Sequence, residues 1–379
     1  MSTRFSEEQI MIQDMATKFA ADQLAPHSAE WDEKKHFPID IIKSSAELGF
    51  AGIYIDEEVG GSALSRLDAV LIFEQLSYGD VSTAAFISIH NMASWMVDRF
   101  GSDEQRQDWL PRLTSMELVA SYCLTEPGSG SDAAAMKTTA VKDGDHYVLN
   151  GSKQFISGAG VSDVYVAMAR TSDDGARGVS TFIIEKDTPG LSFGANEKKM
   201  GWNSQPTRQV IFDNVRVPEA NRIGSEGHGF RFAMAGLDGG RLNIAACSLG
   251  GAQKALDKAL AYAQERKQFG KSISDFQAIQ FKLADMETDL QAARVMLYEA
   301  ASRLDEKAPD ATRWCAMAKR FVTDTGFRVA NEALQIHGGY GYLQDYGVEQ
   351  IVRDLRVHQI LEGTNEIMRV IVSRDMLRQ

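Results

Sequence analysis

The sequence predicts an α+β chain laid out as helices, then strands, then helices. Three observations lead to this: helical spacing that starts at a capping box near the N-terminus, a run of strand-like segments between Val119 and Arg222, and a heptad seam from Phe276 to Leu304. A chain of 379 residues buries a large core, and its length alone implies two or three domains. The changes of pattern place them at 1–118, 119–222 and 223–379.

Ser6-Glu7-Glu8-Gln9 fits a capping box, and Ile12, Met15 and Phe19 follow at near-helical spacing. Leu67, Val70, Leu71 and Glu74 belong to a later helix, and little up to Glu117 reads as sheet. In the central segment, which holds four of the eight prolines, Asp143-Gly144 and Asn150-Gly151 read as turns flanking a His146–Leu149 strand. Val164–Ala169 and Val179–Ile184 are further strands. Beyond Gly229 the helical period returns, and Phe276, Ile279, Leu283, Met286, Leu290, Ala293, Leu297, Ala300 and Leu304 step by three and four in turn. Such a seam closes either a bundle within the chain or a subunit interface, and periodicity does not choose between them.

Hydrophobic content of 44% and charged content of 24% are those of an ordinary globular protein. The net charge of −12 argues against non-specific nucleic-acid binding, which needs a basic face. No apolar run is long enough to span a membrane. Cys123, Cys247 and Cys315 are odd in number and far apart, so they read as reduced thiols and not as a disulfide or zinc framework. The acidic opening lacks the features of a signal or transit peptide, which implies a cytoplasmic protein or the mature form of an organellar, mitochondrial-matrix one.

Glu362, in Gln359-Ile360-Leu361-Glu362-Gly363-Thr364-Asn365-Glu366, is a lone carboxylate followed by Gly, with no metal ligands near it in sequence. It suits a proton abstractor whose backbone approaches a substrate closely. Tyr122–Asp132 runs into Gly128-Ser129-Gly130-Ser131-Asp132-Ala133, a formal match to a dinucleotide fingerprint. Pro127 before it and antiparallel-looking strands after it exclude a βαβ crossover, so the stretch is a loop or a ligand wall of another kind. Arg266-Lys267 ends a helical run, as a pyrophosphate clamp or as a solvated basic helix end. Gln335-Ile336-His337-Gly338-Gly339 offers an anion cradle or a glycine helix stop. Asp238-Gly239-Gly240-Arg241 reads as the start of another helix.

Together these strings resemble the acyl-CoA dehydrogenase family, flavoenzymes that desaturate acyl-CoA thioesters between the α and β carbons, and the resemblance runs the whole chain. It implies the family fold of an N-terminal α-helical domain, a central β-barrel-like domain and a C-terminal helical bundle. It also implies FAD held by Tyr122, Leu124, Thr125, Gly130, Ser131, Phe155, Ile156, Ser157, Arg266, Phe276, Gln277, Gln335, Ile336, His337, Gly338, Gly339, Thr364, Asn365 and Glu366. Acyl-CoA would lie along Ser131, Asp238, Gly239, Gly240, Arg241 and Arg374. Glu362 becomes the α-proton abstractor, since the alternative family position for the base holds Gly240. The carbonyl donors would be the main-chain amide of Glu362 and a ribityl hydroxyl of FAD.

The resemblance further implies a homotetramer arranged as a dimer of dimers, with FAD across a dimer interface, and reoxidation by an electron-transferring flavoprotein. Leu361 stands where many relatives have Tyr. With Ser88–Met92 and Lys198–Arg208 it looks most like the branch acting on isobutyryl-CoA in valine degradation. Short-chain or 2-methylbutyryl-CoA dehydrogenation, an oxidase on the same fold and a DNA-binding relative remain as alternatives. Net charge and Glu362 weigh against the last.

Overall fold

The computed structural model describes residues 5–377. The chain opens with helices α1 (Glu7–Phe19), α2 (Ser28–Lys34), α3 (Ile39–Ser44), α4 (Arg66–Gly79), α5 (Val81–Phe100) and α6 (Asp103–Thr114). Ser6 caps α1 by accepting from the Gln9 N–H while the Gln9 side chain returns to the Ser6 N–H, as the sequence predicts. Ser65 and Ser102 start α4 and α6 in the same way.

Eight strands follow: β1 (Ala120–Cys123), β2 (Thr139–Asp143), β3 (His146–Ser157), β4 (Val164–Arg170), β5 (Val179–Glu185), β6 (Leu191–Phe193), β7 (Thr207–Pro218) and β8 (Arg222–Ile223). They form one sheet in the order β6-β7-β3-β2-β4-β5-β8, and β1 pairs parallel with β4. The run Val164–Ala169 is apolar throughout because β4 is buried on both faces: Val164, Val166 and Met168 join the core shared with the helices. Tyr165, Ala167 and Ala169 join a second core with Tyr147, Phe182 and Phe212.

Asn150-Gly151 is not a turn. The strand β3 continues through it to Ser157, and pairing with β7 slips between Leu149 and Gly151. The glycine, at φ +141°, serves a bulge: two strands of 12 residues each stay paired past that point, and the long ladder overrides the local turn signal. A second slip between Lys153 and Ile156 leaves Phe155 at φ +59° and 64% exposed, outside the core.

Helices α7 (Gly229–Glu265), α8 (Gln277–Asp305), α9 (Ala311–His337), α10 (Val348–Arg356) and α11 (Asn365–Leu377) complete the chain, after a small β9 (Lys267–Gln268) and β10 (Lys271–Ser272) hairpin. Asp238 does not begin a helix but lies in the third turn of α7. Two adjacent glycines disfavour a helix interior locally, yet tertiary packing against them keeps the helix unbroken. The heptad seam closes inside the chain. Met286, Leu290, Ala293, Leu297 and Ala300 are buried in the shared core, against α9, α7 and α4. Among the described residues no helix is long and apolar enough to cross a membrane. The three cysteines are free and buried.

One ion pair ties the first helices to the last. The buried Glu74 on α4 accepts from Arg294 Nε at 2.9 Å and from Tyr298 Oη at 2.7 Å, both on α8. Glu74→Ala leaves a guanidinium buried without its carboxylate, and such breaks cost about 3–5 kcal/mol. The expected outcome is a clearly lower urea midpoint; a midpoint within error of the parent would contradict it.

Candidate active site

Glu362 sits in a tight loop between the turn Val357–Gln359 and α11, with φ +56°, followed by Gly363 at φ +89°. Two consecutive left-handed residues turn the chain sharply and aim the carboxylate back at α7. A Cβ built on Gly240 would stand 2.6 Å from Glu362 Oε2 and 2.9 Å from Met92 Sδ. Gly240 is therefore the gap in α7 into which the carboxylate fits. Its neighbour Gly239 makes room in the same way for the Arg66 guanidinium, 2.4 Å from the built Cβ, which lies 3.6 Å above the Tyr54 ring.

Glu362 is half-buried as a residue, yet its Oε2 is fully buried and has no hydrogen-bond partner among the described residues. Burial pushes the carboxyl up to about 7, and the Arg241 and Lys319 charges hold it below where burial alone would put it. Arg241 Nε donates to the Glu362 carbonyl at 3.3 Å, and its Nη1 to Asp238 Oδ1 at 2.6 Å. The main-chain N–H of Glu362 makes no hydrogen bond among the described residues. An unpartnered carboxylate beside an unpartnered N–H has the chemistry to take a proton and to donate to an oxyanion.

The end of β1 and the loop after it meet this centre. Tyr122 donates to the Ala233 carbonyl of α7 at 3.4 Å, and the Glu362 charge, after burial, raises its phenol. The loop is held from below. Lys153, fully buried on β3, donates to Glu126 Oε1 at 2.8 Å and to the Leu124 carbonyl at 3.2 Å, while Glu126 also accepts from the Lys137 and Thr138 N–H groups. Gln154 N–H donates to the Thr125 carbonyl, bringing the loop beside the bulge that exposes Phe155. Ile156 is buried and Ser157 half-buried there, Leu124 is buried, and Gly130 and Ser131 are exposed. A Cβ on Gly128 or Gly130 would meet no atom within 4 Å, so these glycines face open space instead of neighbouring chain.

A second zone lies elsewhere. Arg266, Ile336, His337, Gly338 and Gly339 line a cavity of about 520 Å³, with Tyr262 stacked on His337 at 4.4 Å and Arg266 lying 5.3 Å from the Tyr340 ring. Gly338 and Gly339 also have no atom within 4 Å of a built Cβ. Phe276 caps α8 nearby, 5.9 Å from the exposed Phe269, and Gln277 and Gln335 are exposed. None of the residues lining the cavity belongs to the Glu362 loop or the β1 loop. The α7 helix separates the zones: from Gly240 to its C-terminal end at Glu265 is roughly 38 Å at 1.5 Å per residue.

The remaining expected residues divide. Asp238 accepts from Thr312 Oγ1 as well as Arg241, and Thr364 Oγ1 accepts from the Ile367 N–H at the start of α11. Asn365 is buried with its amide taken up by Lys319, Thr323 and Asp324 of α9, so its side chain is spent on holding the loop. Glu366 and Arg374 are exposed on α11. Sequence reasoning missed Lys319, Arg66 and Lys153, and it gave Met92 and Glu126 no role of their own within the Ser88–Met92 and Tyr122–Asp132 strings. Lys319 left a signal, as a lone cation among Cys315, Ala316, Ala318 and Val322 on an apolar helix face.

If Gly240 is the gap for the base, Gly240→Ala displaces the carboxylate while favouring the helix by ~1 kcal/mol. Misplacing a reacting group by about 1 Å costs about 10²-fold in rate. The variant is expected to keep its unfolding midpoint and lose turnover; unchanged turnover would contradict the geometry.

The family profiles match along the chain: acyl-CoA dehydrogenase N-terminal domain over residues 6–117, middle domain over 121–215 and C-terminal domain over 227–377. The chain is 57% identical over 378 residues to mitochondrial isobutyryl-CoA dehydrogenase of Bos taurus, covering 100% of this chain and 91% of that one. Butyryl-CoA dehydrogenase from Megasphaera elsdenii superposes with TM-score 0.96 at 38% identity, covering 99% of each chain. A chain in a structure described as the electron transferring flavoprotein of Acidaminococcus fermentans gives TM-score 0.97 at 44% identity, over 100% of both. The helical, strand and helical segments, the Glu362 loop and these likenesses agree, and the chain belongs to the acyl-CoA dehydrogenase family.

Proposed function

We propose that the chain is an FAD-dependent acyl-CoA dehydrogenase whose base is Glu362 and whose preferred substrate is a short α-branched thioester, isobutyryl-CoA first. The observation that carries the chemistry is the buried, unpartnered Glu362 Oε2 set in the gap at Gly240. A thioester α-hydrogen is a weak carbon acid, so its removal needs a base with a proton affinity near neutrality and donors for the enolate oxygen. Glu362 takes the α-proton onto its carboxylate, and its free main-chain N–H donates to the thioester oxygen. FAD, when bound, accepts the hydride from the β carbon.

The residues present fit that cofactor. Open space over Gly128 and Gly130, the exposed Phe155 and the Tyr122–Ser131 loop suit a flat ring system beside Glu362. Arg266 and the Gly338-Gly339 amides suit pyrophosphate. With roughly 38 Å of α7 between the zones, one cofactor bound within one chain does not reach both, so each site takes its ring wall from one chain and its phosphate cradle from a second. This supports at least a dimer, and the likeness to the acyl-CoA dehydrogenase family extends the reading to a dimer of dimers. Sedimentation of the yellow protein at four chain masses is the expected result, and a monomer that keeps FAD would contradict the two-chain site.

The branched substrate rests on the likeness to isobutyryl-CoA dehydrogenase and on Leu361 beside the base. An electron-transferring flavoprotein is the acceptor this reading implies, and the cytoplasm or a mitochondrial matrix is the location. The test is anaerobic mixing with C4 to C8 acyl-CoA thioesters, for the parent and for Glu362→Gln. Isobutyryl-CoA is expected to bleach the parent flavin with the highest specificity, with overlap among neighbours because one methylene is worth only ~1–3 kcal/mol. Glu362→Gln is expected to keep FAD and slow bleaching by about 10²–10⁴-fold. An optimum at octanoyl-CoA refutes the substrate; near-parental bleaching of the variant refutes the base.

A further inference from the structure

Lys319 is fully buried, although a lysine ammonium is among the costliest groups to take out of water. Its helix face is otherwise apolar but for Thr323, and it reaches past that face to the Glu362 loop. Nζ donates to the Gly363 carbonyl at 2.8 Å and to Asn365 Oδ1 at 2.9 Å, one residue and three residues after the base. Asn365 is in turn locked by Thr323 and Asp324, and Gln359, before the loop, also donates to Asp324 at 2.8 Å. Arg241 holds the Glu362 carbonyl from the other side. Both hydrogen-bond acceptors of Lys319 thus belong to the segment that carries the base, and they fix the two left-handed residues that aim it.

We propose that Lys319 is a positioning residue for the desaturation: its two hydrogen bonds hold the Glu362–Asn365 loop in the aiming conformation. Its charge also favours the ionised form of Glu362. This rests on Glu362 being the base. The charge and the hydrogen bonds are separable, because glutamine can donate without carrying a charge.

Other groups set the background. Arg241 and Asp238 lie on α7, Asp324 on α9, Glu366 on α11, Tyr122 on β1, with Tyr54, Arg66 and His358 close by. Tyr122 is held neutral by burial and by the Glu362 charge, and burial drops His358 to about 3, so neither takes up or loses a proton near pH 7. Burial lowers Lys319 to about 7 against the upward pull of Glu362, so near neutrality the two titrate as a pair. Removing the cation leaves burial less opposed and Glu362 protonated to higher pH. A base works deprotonated, so the acid limb of the rate profile then moves upward.

The experiment follows the rate of anaerobic flavin bleaching by isobutyryl-CoA from pH 5.5 to 9 in holoenzyme of the parent, Lys319→Gln and Lys319→Met, with Glu362→Gln alongside. Lys319→Gln is expected to shift the acid limb upward by roughly one unit and to keep most of the rate at high pH. Lys319→Met is expected to show the same shift and also lose about 10²-fold of the plateau, without recovery at any pH. A parental acid limb in both variants overturns the proposal. So does failure of both to be isolated as folded flavoprotein, which assigns Lys319 to bundle folding alone. If Glu362→Gln itself bleaches at the parental rate, the reading of the base fails; if it is slow while the lysine variants behave as the parent, only the role of Lys319 fails.

Discussion

The Glu362 carboxylate lies against the bare backbone of Gly240 with Oε2 buried and unpartnered, and the surroundings are arranged around that one contact. An ionised carboxyl with one oxygen buried and without a hydrogen bond is unfavourable, which is why its proton affinity rises despite the Arg241 and Lys319 charges. Left-handed backbone at a non-glycine residue adds about 1–2 kcal/mol. Neither cost is relieved within the loop itself. They are offset from outside, by Arg241 on the Glu362 carbonyl, by Lys319 on the Gly363 carbonyl and by Asn365 tied into α9. Function is concentrated where the local conformation is least favourable.

The fold supplies the rigidity this requires. The α7 helix carries the gap at Gly240 and the guanidinium of Arg241, and α9 carries Lys319. These two helices pack along each other in the shared core with Ala245, Leu249, Ala252, Val322 and Val329. A Cβ on Gly326 of α9 would stand 3.0 Å from the Ser248 carbonyl of α7, so that glycine lets the helix axes approach and the gap and the lysine keep a fixed relation. The sheet presents the opposing wall: β1 delivers Tyr122, and the slip in β3 leaves Phe155 outside the core next to Gln154, whose N–H bonds the β1 loop at Thr125. The buried Glu126–Lys153 pair holds the β1 loop much as Lys319 holds the Glu362 loop. In both places a lysine from a regular element fixes a loop through one carbonyl and one side chain.

Much of this was legible in the sequence, for identifiable reasons. Periodicity gave the helices, the all-apolar run at Val164–Ala169 matched a strand buried on both faces, and the Ser6 capping box formed as written. Glu362 was legible because a single carboxylate followed by glycine in a C-terminal loop has few structural uses. The failures were tertiary overrides of local signals. Asn150-Gly151 spells a turn but serves a bulge in a long ladder, and Gly239-Gly240 spells a helix boundary but sits mid-helix, where Arg66 and Glu362 require the missing side chains. Lys319 and Lys153 were missed because a lysine in a helix or strand pattern defaults to solvent, and only the fold brings their acceptors to them. The hold of Asn365 on α9 is invisible in the sequence, because its amide bonds there cross more than 40 residues.

The central claim is that Glu362 is a buried carboxyl whose proton affinity is set near neutrality by its place in the fold. Isotope-edited infrared titration of the holoenzyme without substrate, with ¹³C-labelled glutamate and Glu362→Gln as the difference partner, follows that one group directly. The account expects a protonated carboxyl band that is lost with a midpoint of about 7 and is absent from the variant. A band difference titrating near the ordinary 4.5 of a glutamate would contradict it, because the carboxylate would then be solvated and not held in the gap at Gly240.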